Sequence, residues 1–409
     1  MRSGLRHPAF ISSLITVLVF AALEGAARIH DAYRFGSKSQ AKLEIYRDER
    51  LIQRVDDALR RRVLEPYPYV MHRARPDQHL DAININALGF RGPAMEAKKA
   101  AGTTRIFLLG GSAAWGAGAT SDEATIAATL ARRLNAAGGR RFEVINAADS
   151  GYQTTQNFIV AWSRVLDLEP DVIVTLDGYN DVYAGLLNRE AGFPQNYAEL
   201  KAKLERNGPL HHLWAAALGP LESSRFLQKA SGKLAQVLRP APRLTAEGHP
   251  TVYANPREVA RIFGRNLEYL DVLAQSRGVR TLFALQPALG VGAKRLSPAE
   301  QDLLRSHDRY IPGYSRYLGA AYALLVEELG RLRAQRRART LDLVDVFADG
   351  TDTAFWDGVH FGDGGHQAIA ARLGRELDAI LSERGAGGVG PAGRSGDQQE
   401  LAGGAPRGQ

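Results

Sequence analysis

The hydrophobic pattern changes character several times along the chain. Pro8 to Ala27 is one apolar run of about twenty residues, the length that crosses a bilayer, with Glu24 as its only charge. From Ser37 to Val63 the apolar positions Leu43, Tyr46, Leu51, Val55 and Leu59 fall near helical spacing, which predicts a helix ended by Pro66 and Pro68. After a turn-rich stretch at Asn84 to Pro93, short apolar blocks bounded by Gly, Pro or Asp alternate with longer amphipathic ones. The short blocks Arg105 to Leu109, Phe142 to Asn146, Asp171 to Leu176, Arg280 to Leu285 and Thr340 to Phe347 are read as strands. The windows Ala124 to Ala137, Tyr152 to Leu166, Arg257 to Gln275, Gly313 to Arg339 and Gly365 to Leu381 are read as helices. Such alternation predicts a parallel sheet with helices on both faces, because each crossover lays a helix back on the sheet.

Two stretches break the rhythm. Residues 185–255 form a helical, Pro-punctuated insert, read as a cap or lid over the strand ends. Residues 385–409 are Gly-rich with almost no large apolar side chain, a composition that predicts disorder. The expected organisation is a stub (1–7), a transmembrane anchor (8–27), a juxtamembrane helix and approach segment (28–103), the α/β domain with its insert (104–384) and the tail (385–409). A cleaved signal peptide is the rival for the apolar run, with Arg2 and Arg6 as its basic start and Gly25-Ala26-Ala27 as its cut. The anchor is preferred because the run is longer than a usual signal core and Glu24 sits beside the cut. Positive charge flanks both ends, so orientation does not follow from charge. A short stub before a large domain gives the expectation of a single-pass protein with its domain on the extracytoplasmic side.

Composition narrows the chemistry. With no Cys among 409 residues, disulfides, Cys-ligated metals and thiol nucleophiles are excluded, so any nucleophile is oxygen or nitrogen. A 45% hydrophobic content supports a sizeable core. The net charge of +8 raises nucleic acid or an anionic surface as a partner. The basic residues, however, cluster at Arg28 to Arg62, at Arg331 to Arg339 and in the tail, and no basic stripe carries interleaved aromatics. A solvated face is the plainer reading, and no nucleic-acid partner is expected.

Four short blocks carry candidate chemistry. The first strand runs into Gly110-Gly111-Ser112, which places Ser112 at a carboxyl strand end, where open parallel sheets bind ligands. This turn is no phosphate loop, since Ala117 stands where Lys is needed; nor is it a dinucleotide fingerprint, since Ser121 replaces a required Gly. Ala114 likewise breaks the G-x-S-x-G elbow. Near the other end, Asp357-Gly-Val-His360 could let the carboxylate fix the imidazole tautomer and leave the second nitrogen to take a hydroxyl proton. Two rivals exist: a cap cluster on the last helix, with Asp363 capping, and a metal site from Asp357, His360, Asp363 and His366. Loops after the second and third strands offer the Gly151 amide and the Asn180 side chain, which with the Ser112 amide could hold an oxyanion. Trp115, Tyr152, Tyr179 and Trp356 flank these blocks, as core packing or as surfaces for stacking on a sugar.

The joint order of Ser112, Gly151, Asn180 and Asp357 with His360 resembles the SGNH, or GDSL-like, hydrolase superfamily over Arg105 to Leu381. Asn86-Ala-Leu-Gly-Phe-Arg91 and Leu285-Gln-Pro287 look like segments of its membrane-anchored bacterial members. One departure stands out: the usual Gly-Asp-Ser is Gly-Gly-Ser here. The resemblance implies a flavodoxin-like three-layer α/β/α sandwich with a five-stranded parallel sheet. It also implies acyl transfer through Ser112, with His360 as base, Asp357 as its orienter, and Ser112, Gly151 and Asn180 as the oxyanion hole. No metal or organic cofactor is implied. The substrate expected is an acylated small molecule, glycan or lipid. Ester hydrolysis is the reaction expected, with O-acetyl transfer by the same residues and a catalytically silent glycan-binding or assembly role as the alternatives.

Overall fold

The computed structural model describes residues 13, 15–26, 38–136, 138–195, 197, 224, 226, 253–335 and 338–382. The expected helix from Ser37 to Val63 is two helices, α1 (Lys38–Tyr46) and α2 (Glu49–Arg61). Arg47 takes a left-handed φ of 55° between them. Asp48 restarts the helix as its N-cap, accepting from the Arg50 and Leu51 amides. Two hairpins absent from the pattern reading follow, β1 (Leu64–Tyr67) with β2 (Met71–Ala74) and β3 (Gln78–Leu80) with β4 (Ile83–Ile85). Pro66 therefore lies inside a two-stranded ribbon, not at a helix end.

From there the chain alternates: β5 (Thr103–Gly110), α3 (Ser112–Trp115), α4 (Ile126–Ala136), β6 (Arg141–Asn146), α5 (Thr154–Val160), β7 (Val172–Asp177) and α6 (Tyr179–Asn188). It continues through α7 (Pro256–Ser276), β8 (Arg280–Leu285), α8 (Pro298–Tyr310), α9 (Tyr314–Ala334), β9 (Arg339–Asp342) and α10 (Asp363–Ser382). The five later strands form one parallel sheet in the order β6-β5-β7-β8-β9. Side-chain alternation along β5 assigns its two faces. Ile106 and Leu108 join a core with α4 and α10, whereas Phe107 and Leu109 join one with α7 and α9. Helices thus cover both faces, and all eight residues of β5 are buried.

Several boundaries differ from the pattern. β9 stops at Asp342, whose carboxylate accepts from the Val344 amide and turns the chain before the expected end at Phe347. The helix expected over Tyr152 to Leu166 is α5 followed by a π turn (Ala161–Val165) and a 3₁₀ turn (Leu166–Leu168). The window to Arg339 closes at Ala334, since Arg339 opens β9. Helix α8 was not foreseen, although Ser297-Pro-Ala-Glu300 is a capping box in sequence and forms one in the structure. Most of the insert lies outside the described residues, as do the stub and the tail. Of the apolar run, residues 15–26 are helical, and among the described residues no helix is long and apolar enough to cross a membrane.

His366, on the first turn of α10, is fully buried and its ring packs on Phe361 at 4.8 Å. Burial, then the nearby Arg91 and His360, push its pKa down to about 3. The unfolded chain takes up that proton below about 6.5 while the folded one does not, so His366 subtracts stability as pH falls from about 6.5 toward 3, by up to about 1.4 kcal/mol per unit. His366→Leu is expected to shrink the gap in thermal midpoint between pH 7 and pH 4.5. An unchanged gap would contradict this assignment.

Candidate active site

The sheet order sets the location. The connection leaving β5 goes to β6 and the one leaving β7 goes to β8, on opposite sides, which opens a crevice at the carboxyl ends of these neighbours. Ser112 follows β5 and Asn180 follows β7 across that crevice. The turn between β5 and α3 depends on its glycines. Gly110 has φ +149°, and a Cβ there would come within 3.0 Å of the Leu176 carbonyl and the Ala114 side chain. At Gly111 a Cβ would collide with the Asn180 amide nitrogen and sit 3.1 Å from the Tyr152 carbonyl.

Ser112 Oγ lies 2.7 Å from His360 Nε2. His360 Nδ1 in turn lies 2.8 Å from Asp357 Oδ2. The loop before α10 makes this possible at a separation of 248 residues. Phe355 and Phe361 pair antiparallel and the Trp356 amide donates to the His360 carbonyl, so the segment closes as a tight turn. Inside it, Asp357 Oδ1 accepts from the Val359 and His360 amides, both at 2.9 Å. Burial opposes ionisation of Asp357, but His360 and these amide donors outweigh it and hold the carboxyl well below the usual range. Trp356 stacks on the His360 ring at 4.9 Å and 17°.

The turn is held from behind by a buried ion pair. Glu300, with no exposed surface, accepts from the Ala354 and Phe355 amides with one oxygen and from Lys294 Nζ (2.7 Å) and the Ser297 amide with the other. Both lone-pair sets are satisfied, the condition under which a buried pair is tolerated.

On the opposite wall, Asn180 Nδ2 donates to the Tyr152 carbonyl at 2.7 Å, which ties the β7 loop to the loop that carries Gly151. Gly151 takes φ +78°. Beneath them, Asp181 accepts from the Thr154 amide and hydroxyl, and Asp177 accepts from Asn157 Nδ2 at 2.7 Å. Burial raises both carboxyls. For Asp177 the neighbouring Asp181 adds to the shift, and Asp181, relieved by its Thr154 donors, reaches about 6.

All five residues singled out in the sequence therefore meet at one sheet edge. The rivals do not hold in this geometry: Asp363 accepts from the Thr120 amide and hydroxyl, His366 is in the core, and among the described residues no group of three His, Asp or Glu could hold a metal ion. The four flanking aromatics are no stacking surface. Trp115, Tyr152, Tyr179 and Trp356 are all buried, with Arg62 and Arg91 each within 4.5 Å of the Trp115 ring centre.

Some contributors were missed. Gln195 reaches the Asn180 side chain. Arg62 pairs with Asp149, whose other oxygen accepts from the Ala74 amide, and His72 Nε2 sits 3.0 Å from the Ser150 carbonyl. None carries a motif signal: Gln195 comes from an irregular segment, Arg62 caps the end of α2, and His72 lies in the short strand β2. Arg91, in the quoted Asn86 to Arg91 segment, bonds Asp122 and the Trp115, Gly116 and Ala82 carbonyls and so buttresses the serine turn.

Residues 108–288 match the model of the GDSL-like Lipase/Acylhydrolase family. That span holds Ser112, Gly151 and Asn180 and ends before Asp357 and His360. No curated protein matches the chain. Among solved structures it is similar to an acetyl xylan esterase at 14% identity, covering 67% of this chain and 99% of that one with a TM-score of 0.39. It is also similar to the lipase/acylhydrolase from Enterococcus faecalis (17% identity, 68% and 96% covered, TM-score 0.39). A third is a GDSL-like lipase from Bacteroides thetaiotaomicron (12% identity, 68% and 89% covered, TM-score 0.37).

Proposed function

We propose that this ester-bond hydrolase, whose residues 108–288 carry a GDSL-like lipase/acylhydrolase domain, works through an acyl-serine at Ser112. The observation that carries the reading is the hydrogen-bonded line from Ser112 through His360 to Asp357, at 2.7 and 2.8 Å. Ser112 Oγ attacks the ester carbonyl while its proton passes to His360 Nε2. Asp357, held as a carboxylate, keeps the Nδ1 proton in place and stabilises the imidazolium. The carbonyl oxygen, now negative, is met by the Ser112 and Gly151 amides and the second Asn180 amide proton. Collapse expels the alcohol, which takes the proton from His360. Water then attacks the acyl-serine, His360 accepts its proton, and the carboxylic acid and free Ser112 are released.

The test is rapid mixing with p-nitrophenyl acetate, an acid quench and peptide mapping. The expected result is one acetyl group on the Ser112 peptide. Turnover with no acetylated peptide at any quench time, or with the acetyl group elsewhere, would overturn the acyl-serine step.

The reading extends to location and substrate. The run 8–27 anchors the chain, the catalytic domain stands on the extracytoplasmic side, and the ester is an O-acyl group of a surface glycan or lipid. Its support is the sequence of the run together with the helix over 15–26, which leaves Ile15, Val17, Leu18, Val19 and Leu23 exposed.

A further inference from the structure

We propose that Gln195 is a positioning residue for the Asn180 oxyanion donor; the inference rests on the acyl-serine reading above. An asparagine amide has two orientations of similar shape, and only one presents N–H groups to a developing oxyanion. Two contacts select it here. The Tyr152 carbonyl accepts from Asn180 Nδ2, and Gln195 Nε2 donates to Asn180 Oδ1 at 2.9 Å. Turning the Asn180 amide over would set oxygen against the Tyr152 carbonyl and lose that bond, and the Gln195 bond would survive only if the Gln195 amide turned over as well. One Asn180 amide proton is used by Tyr152, so the second is the one left for substrate. The Gln195 donor also polarises the Asn180 amide, which makes its N–H groups better donors.

Gln195 is itself held in register. Asn188, at the end of α6, donates to the Phe193 and Pro194 carbonyls at 3.2 and 2.7 Å, and Gln153 donates to the Gly192 carbonyl at 3.1 Å. The segment that delivers Gln195 is therefore tied to α6, whose second residue is Asn180, and to the residues that follow Gly151. Gln195 Oε1 lies 3.8 Å from the place a Cβ would take on Gly151, so the side chain spans both halves of the proposed oxyanion hole. Gly111 completes the fit, since the Asn180 nitrogen occupies the space a side chain there would fill.

The experiment is steady-state hydrolysis of p-nitrophenyl acetate by the full chain and by Gln195→Met, Gln195→Glu, Asn180→Ala and the Gln195→Met/Asn180→Ala pair, with thermal midpoints. Gln195→Met keeps the side-chain volume and removes the donor. Gln195→Glu sets an acceptor against Asn180 Oδ1. Expected is a fall in kcat of about 10-fold for Met and nearer 100-fold for Glu, with KM within about twofold. In the Asn180→Ala background, Gln195→Met is expected to cost nothing more, because the group it positions is gone. A native kcat in both Gln195 variants, or an equal loss with and without Asn180, would overturn the proposal. Fluorophosphonate labelling of the native chain keeps the two claims apart: no label at Ser112 sinks the acyl-serine reading, whereas normal labelling with unaffected Gln195 variants sinks only this one.

Discussion

Ser112→Ala is expected to lower kcat for ester hydrolysis by about a millionfold while leaving the fold intact. Ser112 is partly exposed and its hydroxyl makes one side-chain contact, to His360, so its removal costs little packing. His360→Ala should lose nearly as much, because without a proton acceptor at 2.7 Å the hydroxyl is a poor nucleophile at neutral pH. Asp357→Asn should lose about 10⁴-fold. Its amide can accept at one oxygen only, whereas Asp357 serves the His360 ring with one oxygen and two backbone amides with the other. Whichever way the amide turns, either the turn loses its acceptor or the ring faces a donor and takes the wrong tautomer. The three losses should not multiply, since each disables the same unit. Steady-state rates of the singles and of Ser112→Ala/Asp357→Asn check this. Multiplying losses would mean that the residues act separately.

Introducing the aspartate usual in the superfamily that the sequence resembles, Gly111→Asp, is expected to lower kcat by about 10²- to 10³-fold, the scale of losing one oxyanion donor. Gly111 has an ordinary φ of −86°, so backbone strain is not the cause. The cost is steric: the first side-chain carbon meets Asn180 Nδ2 inside any real contact distance and presses on the Tyr152 carbonyl. Asn180 would have to withdraw from Tyr152 and Gln195, losing the orientation they enforce. Gly111→Ala should move kcat the same way, which shows that room and not charge is at issue. A Gly111→Asp chain as active as the native one would refute this account of the departure.

Residue order alone gave part of the fold and of the candidate site. The strands β5, β7 and β8 were legible because each is a short apolar block between turn residues and lies inside the sheet, where pattern and burial agree. The gathering of Ser112, Gly151, Asn180, Asp357 and His360 at one place was legible because each stands at a strand end or in a Gly turn. The partners that orient them were not. Glu300 reaches the His360 turn from more than fifty residues away in sequence, Gln195 comes from a segment without periodicity, and Arg62 pairs with Asp149 across 87 residues of sequence. The N-terminal hairpins escaped for the same reason, since strands of three or four half-buried residues carry too little alternation to register. The break between α1 and α2 was written in Asp48, but the apolar spacing ran across it.

The most direct test of the central claim is intact-mass analysis of the folded chain after exposure to a fluorophosphonate. The account predicts a single adduct, mapped to Ser112, absent from Ser112→Ala and formed much more slowly by His360→Ala. No adduct on the folded native chain, or an adduct that persists in Ser112→Ala, would contradict it.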